Sequence, residues 1–136
     1  MNVREIDETI KHFQDTFPEK WLVVILDHTL LVEFSLPETE QSVITKLQKV
    51  FIGAKKIGRT SIIQLSQMNR EIEKAERINN NLSHFPLRSD ISTSDKIFHA
   101  SDYVFVIHRP ETLGITHYGK ELIPSKDKVF LHTHLS

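Results

Sequence analysis

Residues 114–121 read Gly-Ile-Thr-His-Tyr-Gly-Lys-Glu, one position short of G-x-x-x-x-G-K-[ST]. In that loop backbone N–H groups cradle nucleotide phosphates, the Lys reaches the β- and γ-phosphates, and the final hydroxyl meets Mg²⁺. Gly114, Gly119 and Lys120 match, but Glu121 would turn a carboxylate toward the polyphosphate. The context also fails. A phosphate loop runs from a strand directly into a helix, whose N-terminus supplies donors and dipole. Here Arg109-Pro110-Glu111 separates the segment from the preceding apolar run, and Pro124 would break a helix in its first turns. We therefore expect no phosphate cradle at Gly114–Glu121. A second stretch carries more chemistry. Leu22-Val23-Val24-Ile25-Leu26-Asp27 is an apolar run closed by one carboxylate, the form of a Walker B strand. It would carry Asp27 to the C-terminal edge of a sheet, where ligands bind in open α/β folds. There a carboxylate can hold the waters of a nucleotide-bound Mg²⁺. An Asp after a strand serves equally as a loop residue or helix cap, so these six residues leave both readings open.

Two weaker constellations complete the inventory. His132 and His134 would place two imidazoles on one strand face. With no Cys in the chain and no third ligand beside them, we expect no zinc site. Asp27 and His28 are a conceivable acid/base pair of an unrelated α/β enzyme. Neighbours on a strand point to opposite faces, so the two converge only if the strand has already ended.

The elements that must position these groups follow from apolar spacing. Val3, Ile6, Ile10, Phe13 and Phe17 recur at steps of three and four, giving a helix over 3–16 that Pro18 ends. Residues 21–26 are an unalternating run, the pattern of a strand buried on both faces. Residues 38–56 carry Val43, Ile44, Leu47, Val50, Phe51 and Ala54 on one helical face, and Gly58 is a fitting stop. Ser61–Leu65 and Tyr103–Ile107 are two further buried-strand candidates. Residues 69–78 are helix-compatible, 79–95 read as a long loop, 94–100 as a short helix and 128–132 as a last strand. Strands alternating with helices point to an α/β layer architecture with right-handed crossovers.

Length and composition narrow the function. At 136 residues the chain is one domain by the length prior. With 17 basic against 18 acidic residues it has no overall basic field, so any nucleic-acid contact must be local. The absence of Cys suits a reducing cytoplasm. The N-terminus has no apolar signal segment, and no apolar run approaches the length that spans a bilayer, so we expect no membrane partner.

Four blocks in order then resemble one family. Ile62-Ile63-Gln64-Leu65-Ser66-Gln67-Met68-Asn69-Arg70 resembles the "ALSQLNR" segment of DnaB-type replicative DNA helicases. Pro86-Leu87-Arg88-Ser89-Asp90-Ile91 resembles their "P-x-x-SDL" run. Ile97 and Asp102–Glu111 resemble "I-E-Q-D-A-D-V-V-L-F-L-Y-R-P-E", and LVVILDHTLLV stands where the family has its Walker B "VIVIDYLQLM". The blocks cover about residues 20–111. The resemblance implies an α/β, partial RecA-like three-layer fold with a mostly parallel sheet, in which residues 1–136 form a single partial motor domain. It implies that Asp27 organises Mg²⁺ through water and that Gln67 senses the γ-phosphate, with Ser66, Asn69 and Arg70 flanking it. It implies a DNA-binding loop from about Asn79 to Lys96, with Arg88, Ser89, Ser92, Thr93 and Lys96 facing single-stranded DNA. ATP and Mg²⁺ are its implied cofactors. Single-stranded DNA and either further copies of the chain or a missing N-terminal half of the motor are its implied partners.

Three departures qualify what this chain can do. No usable Walker A loop or catalytic Glu precedes the Walker B run, since only residues 1–20 stand before Trp21. The helicases read "SDLRESG" where this chain has Ser89-Asp90-Ile91-Ser92-Thr93-Ser94-Asp95, losing Arg, Glu and Gly. The basic finger that follows the family's last strand has no counterpart before Ser136. Two functions are therefore expected: a part of an ATP-dependent unwinding motor, inactive alone, or a non-catalytic DNA- or helicase-binding module derived from one. In either case strands lacking a neighbour would leave an open edge, so self-association or dependence on a partner is expected.

Overall fold

A computed structural model of the chain describes residues 1–28, 32–33, 35, 37–80, 84–91 and 95–135. They divide into two compact units, Met1–Gln67 and Met68–Ser136.

The first unit runs helix, strand, helix, strand: α1 (Val3–Thr16), β1 (Leu22–Leu26), α2 (Glu40–Ile57) and β2 (Thr60–Gln64). α1 begins at a reciprocal cap. The Glu5 N–H donates to Asn2 Oδ1 (3.0 Å) and the Asn2 N–H donates to Glu5 Oε2 (2.8 Å), so two of the donors orphaned at a helix start are satisfied. α2 begins with the Ser42 N–H donating to Thr39 Oγ1 (3.2 Å) and ends at Gly58, whose φ of +94° is open to Gly and strained for other residues. β1 and β2 pair in parallel, Leu22 opposite Thr60 through Leu26 opposite Gln64. Ile6 and Ile10 from α1 and Val43, Leu47, Phe51 and Ala54 from α2 close over Leu22, Val24, Leu26 and Ile62.

The first apolar run is therefore not buried on both faces as its composition predicts. Its burial alternates: Leu22, Val24 and Leu26 turn to the helices, while Val23 and Ile25 (64% exposed) stand open beside Ile63. Only one side of the pair is covered among the described residues of this unit, and an uninterrupted apolar run is what two covers would require.

The second unit begins with a 3₁₀ turn (Arg70–Glu73) and a short helix α3 (Ala75–Ile78). Lys74 between them is extended (φ −63°, ψ 137°), which breaks the single helix that the charged stretch 69–78 could have formed. A second 3₁₀ turn (Arg88–Asp90) lies inside the expected loop, followed by α4 (Asp95–Ala100) and β3 (Tyr103–His108). Pro110 ends that strand and opens a third 3₁₀ turn (Pro110–Leu113), then come β4 (His117–Tyr118), β5 (Ile123–Pro124) and β6 (Phe130–Leu135). The Gly114–Glu121 segment is thus a turn and half of a β4–β5 hairpin, with Gly114 and Gly119 both at φ +74°.

The three apolar runs were expected side by side in a mostly parallel sheet. Among the described strands β1 and β2 pair in parallel, whereas β3 pairs antiparallel with β6, Tyr103 opposite Leu135 through His108 opposite Phe130. The chain after β3 doubles back through the β4–β5 hairpin, and a strand reached that way returns antiparallel. Val106, His108 and Phe130 face inward, and Tyr103, Phe105, Ile107 and Leu131 stand exposed on the other face.

Leu47 is fully buried under both strands of the first unit. Leu47→Ala should therefore lower unfolding stability by about 2–5 kcal/mol, whereas Ile25→Ala should change it by well under half as much. Urea unfolding of the two variants checks this.

Candidate functional site

Parallel pairing decides what meets at the end of a strand. β1 and β2 finish level, and the Leu65 N–H donates to the Leu26 carbonyl (3.0 Å), extending the register one residue further. Asp27 therefore leaves β1 at the rim from which Leu65, Ser66 and Gln67 leave β2. Asp27, Ser66 and Gln67 are all exposed. Gln67 lies three residues past the strand; the amide that ends β2 is Gln64, whose Oε1 accepts from Gln48 Nε2 on α2 (3.0 Å). His28 follows Asp27 with φ +80°, so the chain turns sharply at the rim. Among the described residues neither His28 ring nitrogen has a hydrogen-bond partner, so Asp27 and His28 do not form the acid/base pair considered from the sequence.

In the second unit Asn69 is a junction. Its Oδ1 accepts from the Glu71 N–H (3.0 Å), starting the 3₁₀ turn. Its Nδ2 donates to the Ser89 carbonyl (2.7 Å) and its own N–H donates to the Asp90 carbonyl (2.6 Å). Asp90 is 1% exposed and meets a guanidinium and a backbone dipole at once. Oδ1 accepts from Arg77 Nη1 (2.5 Å) and Oδ2 accepts from the Leu87 N–H (2.7 Å), while Arg77 Nη2 donates to the Phe85 carbonyl (2.5 Å). A buried carboxylate survives only when its lone pairs are met in this way. These bonds shape the segment 85–91 that presents Arg88 and Ser89.

The expected DNA-facing residues divide as follows. Arg88 is exposed, its guanidinium 4.5 Å from the Phe98 ring centre and its Nη2 2.5 Å from His99 Nε2. Ser89, Lys96 and Arg70 are exposed as well. Ser92 and Thr93 lie outside the described residues. Sequence reasoning missed the Arg77–Asp90 pair, whose only sequence trace is an Asp within the quoted Ser-Asp motif.

It also missed an aromatic and imidazole cluster. His84 (fully buried) and His108 lie with ring centres 5.3 Å apart; His108 is 5.4 Å from Tyr118 and 6.3 Å from His132. Tyr118 Oη and His132 Nε2 share a hydrogen bond of 3.0 Å, but both nitrogens of His84 and Nε2 of His108 have none. Burial, then the neighbouring His84, His132 and Arg77, push the pKa of His108 down to about 4. Burial and Arg77 lower His84 as well, and burial raises the Tyr118 phenol. Burial therefore favours the neutral form of the His84 and His108 rings. The side chain of His134 is outside the described residues, and among these no three His, Asp or Glu groups are arranged to hold a metal ion.

Two measurements test this network. A folded pKa below the unfolded value means the neutral form is favoured, so His108 contributes fully above about pH 6.5 and loses its contribution as pH falls toward 4. The loss should approach about 3 kcal/mol for this one group. Urea unfolding across that window should show the decline, reduced in His108→Phe. Asp90→Ala should cost about 3–5 kcal/mol, and the double variant with Arg77→Met should cost less than the sum, because no charge is then left buried without a partner.

Comparison with known proteins gives these features a relationship. The sequence model of the DnaB-like helicase C terminal domain family matches residues 1–131. No curated protein matches the chain. Two similar solved structures are a DnaB-like replicative helicase, described with its interactions with primase, and a chain described as an ATPase domain. The first superposes with a TM-score of 0.66 at 18% identity, covering 99% of this chain and 33% of that one. The second gives 0.69 at 16% identity, covering 98% of this chain and 47% of that one. At such identities the likeness is one of fold, and this chain spans between a third and a half of either neighbour. Among the described residues no helix is long and apolar enough to cross a membrane. The chain belongs to the DnaB-like helicase C-terminal domain family.

Proposed function

We propose that residues 1–136 act as one partial RecA-like motor domain of the DnaB type, contributing the Walker B strand and the segments C-terminal to it to ATP-dependent DNA unwinding in replication. The observation that carries this reading is the level, parallel ending of β1 and β2, from which Asp27 and Ser66-Gln67 leave at one rim. A family match continuous across both units supports treating them as one functional domain.

In this reading Asp27 holds Mg²⁺ through water, Gln67 senses the γ-phosphate, and Ser66, Asn69 and Arg70 flank it. Arg88, Ser89, Ser92 and Thr93 belong to the loop that meets single-stranded DNA by charge and backbone contact, and Lys96, expected in that loop, joins them from the first turn of α4. The hydrogen bonds from Asn69 to the Ser89 and Asp90 carbonyls favour a relay role for Asn69, because they tie the segment two residues after Gln67 to that loop.

The residues fit one corner of an ATP–Mg²⁺ site and not the rest. Asp27 is a fitting carboxylate, but Gly114–Glu121 is a hairpin rather than a loop opening a helix, so it offers no phosphate cradle. A lone carboxylate does not hold a triphosphate against water. The chain alone neither binds ATP tightly nor hydrolyses it; turnover belongs to an assembly with a phosphate-binding half, which further copies of the chain can join. The exposed apolar faces, Val23, Ile25 and Ile63 in one unit and Phe105, Ile107 and Leu131 in the other, favour such a partner.

The hairpin at Gly114–Glu121, which cradles no phosphate, fits equally a second reading, a non-catalytic module that binds DNA or a helicase ring. ATPase assays decide between them. Purified alone, the chain should show no turnover; co-expressed with a half that carries G-x-x-x-x-G-K-[ST], it should gain ATPase activity that Asp27→Ala removes. Turnover by the chain alone that Asp27→Ala abolishes would overturn the claim of inactivity. Salt-dependent binding of single-stranded DNA with no ATPase in co-expression would establish the module instead.

A further inference from the structure

A cleft of about 490 Å³ opens where β1 and β2 begin, at the end of the pair away from Asp27. That volume lies in the range of small-ligand sites. Its walls are the last turn of α1, the entry into β1 and the turn from α2 into β2. Phe13, Phe17, Trp21 and Ile57 border it and remain 44%, 44%, 65% and 67% exposed. Large rings are normally the first groups that folding removes from water, yet three of them stay open around one cavity.

The walls are held in place. Gln14 Nε2 donates to the Ala54 carbonyl (3.1 Å) and to Thr60 Oγ1 (2.9 Å), tying α1 to the α2–β2 turn. Trp21 Nε1 donates to Ser61 Oγ (3.0 Å), which orients the indole. The Phe13 and Phe17 rings stack, with centres 6.3 Å apart and planes 21° from parallel. Arg59 holds a left-handed backbone (φ +50°), uncommon for a residue with a side chain.

Cations sit among the rings. The Lys20 ammonium lies 5.0 Å from the Phe17 ring centre, and Arg59 lines the same cleft. Arg59 Nη1 is paired with Glu19 (2.8 Å), but the Glu19 carboxylate is 87% exposed, and a solvated pair of this kind is weak enough to exchange for another anion. Flat rings with cations between them form the platform on which nucleobases stack while phosphates are neutralised.

We propose that this cleft binds a nucleotide unit, its base stacked on Phe17 and Trp21 and its phosphate against Lys20 and Arg59. The unit is either a free mononucleotide or one residue of an unpaired strand. Neither Asp27 nor Gln67 borders the cleft, so this site stands or falls separately from the motor reading.

Trp21 is the only Trp in the chain, and its fluorescence reports the site directly. The full chain is titrated without Mg²⁺ at low salt with adenosine 5′-monophosphate, with adenosine, and with an oligothymidylate. Saturable quenching by the mononucleotide identifies a free nucleotide as sufficient; quenching by the oligomer alone identifies the strand. In either case Phe17→Ala should weaken binding at least about fivefold, the lower end of one stacked ring, and Lys20→Gln should weaken it by removing a phosphate partner. Glu19→Gln should tighten it by freeing Arg59. Both weakened positions are surface residues, and circular dichroism confirms that the variants fold. The proposal is overturned if no phosphate-bearing probe quenches saturably, if adenosine binds as tightly as its monophosphate, or if both weakening variants bind like the parent.

Discussion

Everything positioned in the first unit depends on the parallel pairing of Leu22–Leu26 with Thr60–Gln64 under two helices. Parallel strands that start level also end level, so two groups far apart in sequence share a rim without touching each other. The helices enforce that register from one side. Leu22, Val24 and Leu26 are the residues they cover, and a slip of one residue would turn those side chains out and bring Val23 and Ile25 in. The same geometry separates the two ends of the pair. At one end Asp27, Ser66 and Gln67 emerge; at the other, aromatic rings and cations line a cleft.

In the second unit polar groups are buried beside apolar ones such as Ile72, Ile97, Val106 and Ile115. Asp90 gathers Arg77 and the Leu87 N–H, and Asn69 gathers the Ser89 and Asp90 carbonyls. The bonds to the Leu87 N–H and to the Ser89 and Asp90 carbonyls fix backbone, which is how a segment with little regular structure comes to hold Arg88 at its surface. Beside it burial disfavours a proton on the imidazoles of His84 and His108. Their placement ties the integrity of β3 and its surroundings to pH, because a proton on either buried ring carries a desolvation cost.

The elements with strong local signals were legible in the sequence. The α1 periodicity, the Pro18 stop and the Gly58 terminus all rest on interactions within a few residues of chain, and each appears at its expected place within a residue or two. The break at Lys74, the β4–β5 hairpin and the partner of β3 were not legible. A two-residue strand has no periodicity to read, and the choice between a parallel and an antiparallel neighbour is made by which segments meet in space. Apolar runs such as Tyr103–Ile107 declare that they are strands and do not declare beside what.

The sequence by itself determined the membership of a family, the two helix–strand repeats of the first unit and the carboxylate that closes the first strand, because motif order and local spacing carry that information. Only tertiary structure decided that Asp27 and Gln67 leave one rim, that Gly114–Glu121 folds as a hairpin, that Asp90 is a buried anchor, and that Phe17, Lys20 and Trp21 face a common cleft with Arg59. Those outcomes depend on contacts between residues tens of positions apart. No local pattern encodes them; burial and register do.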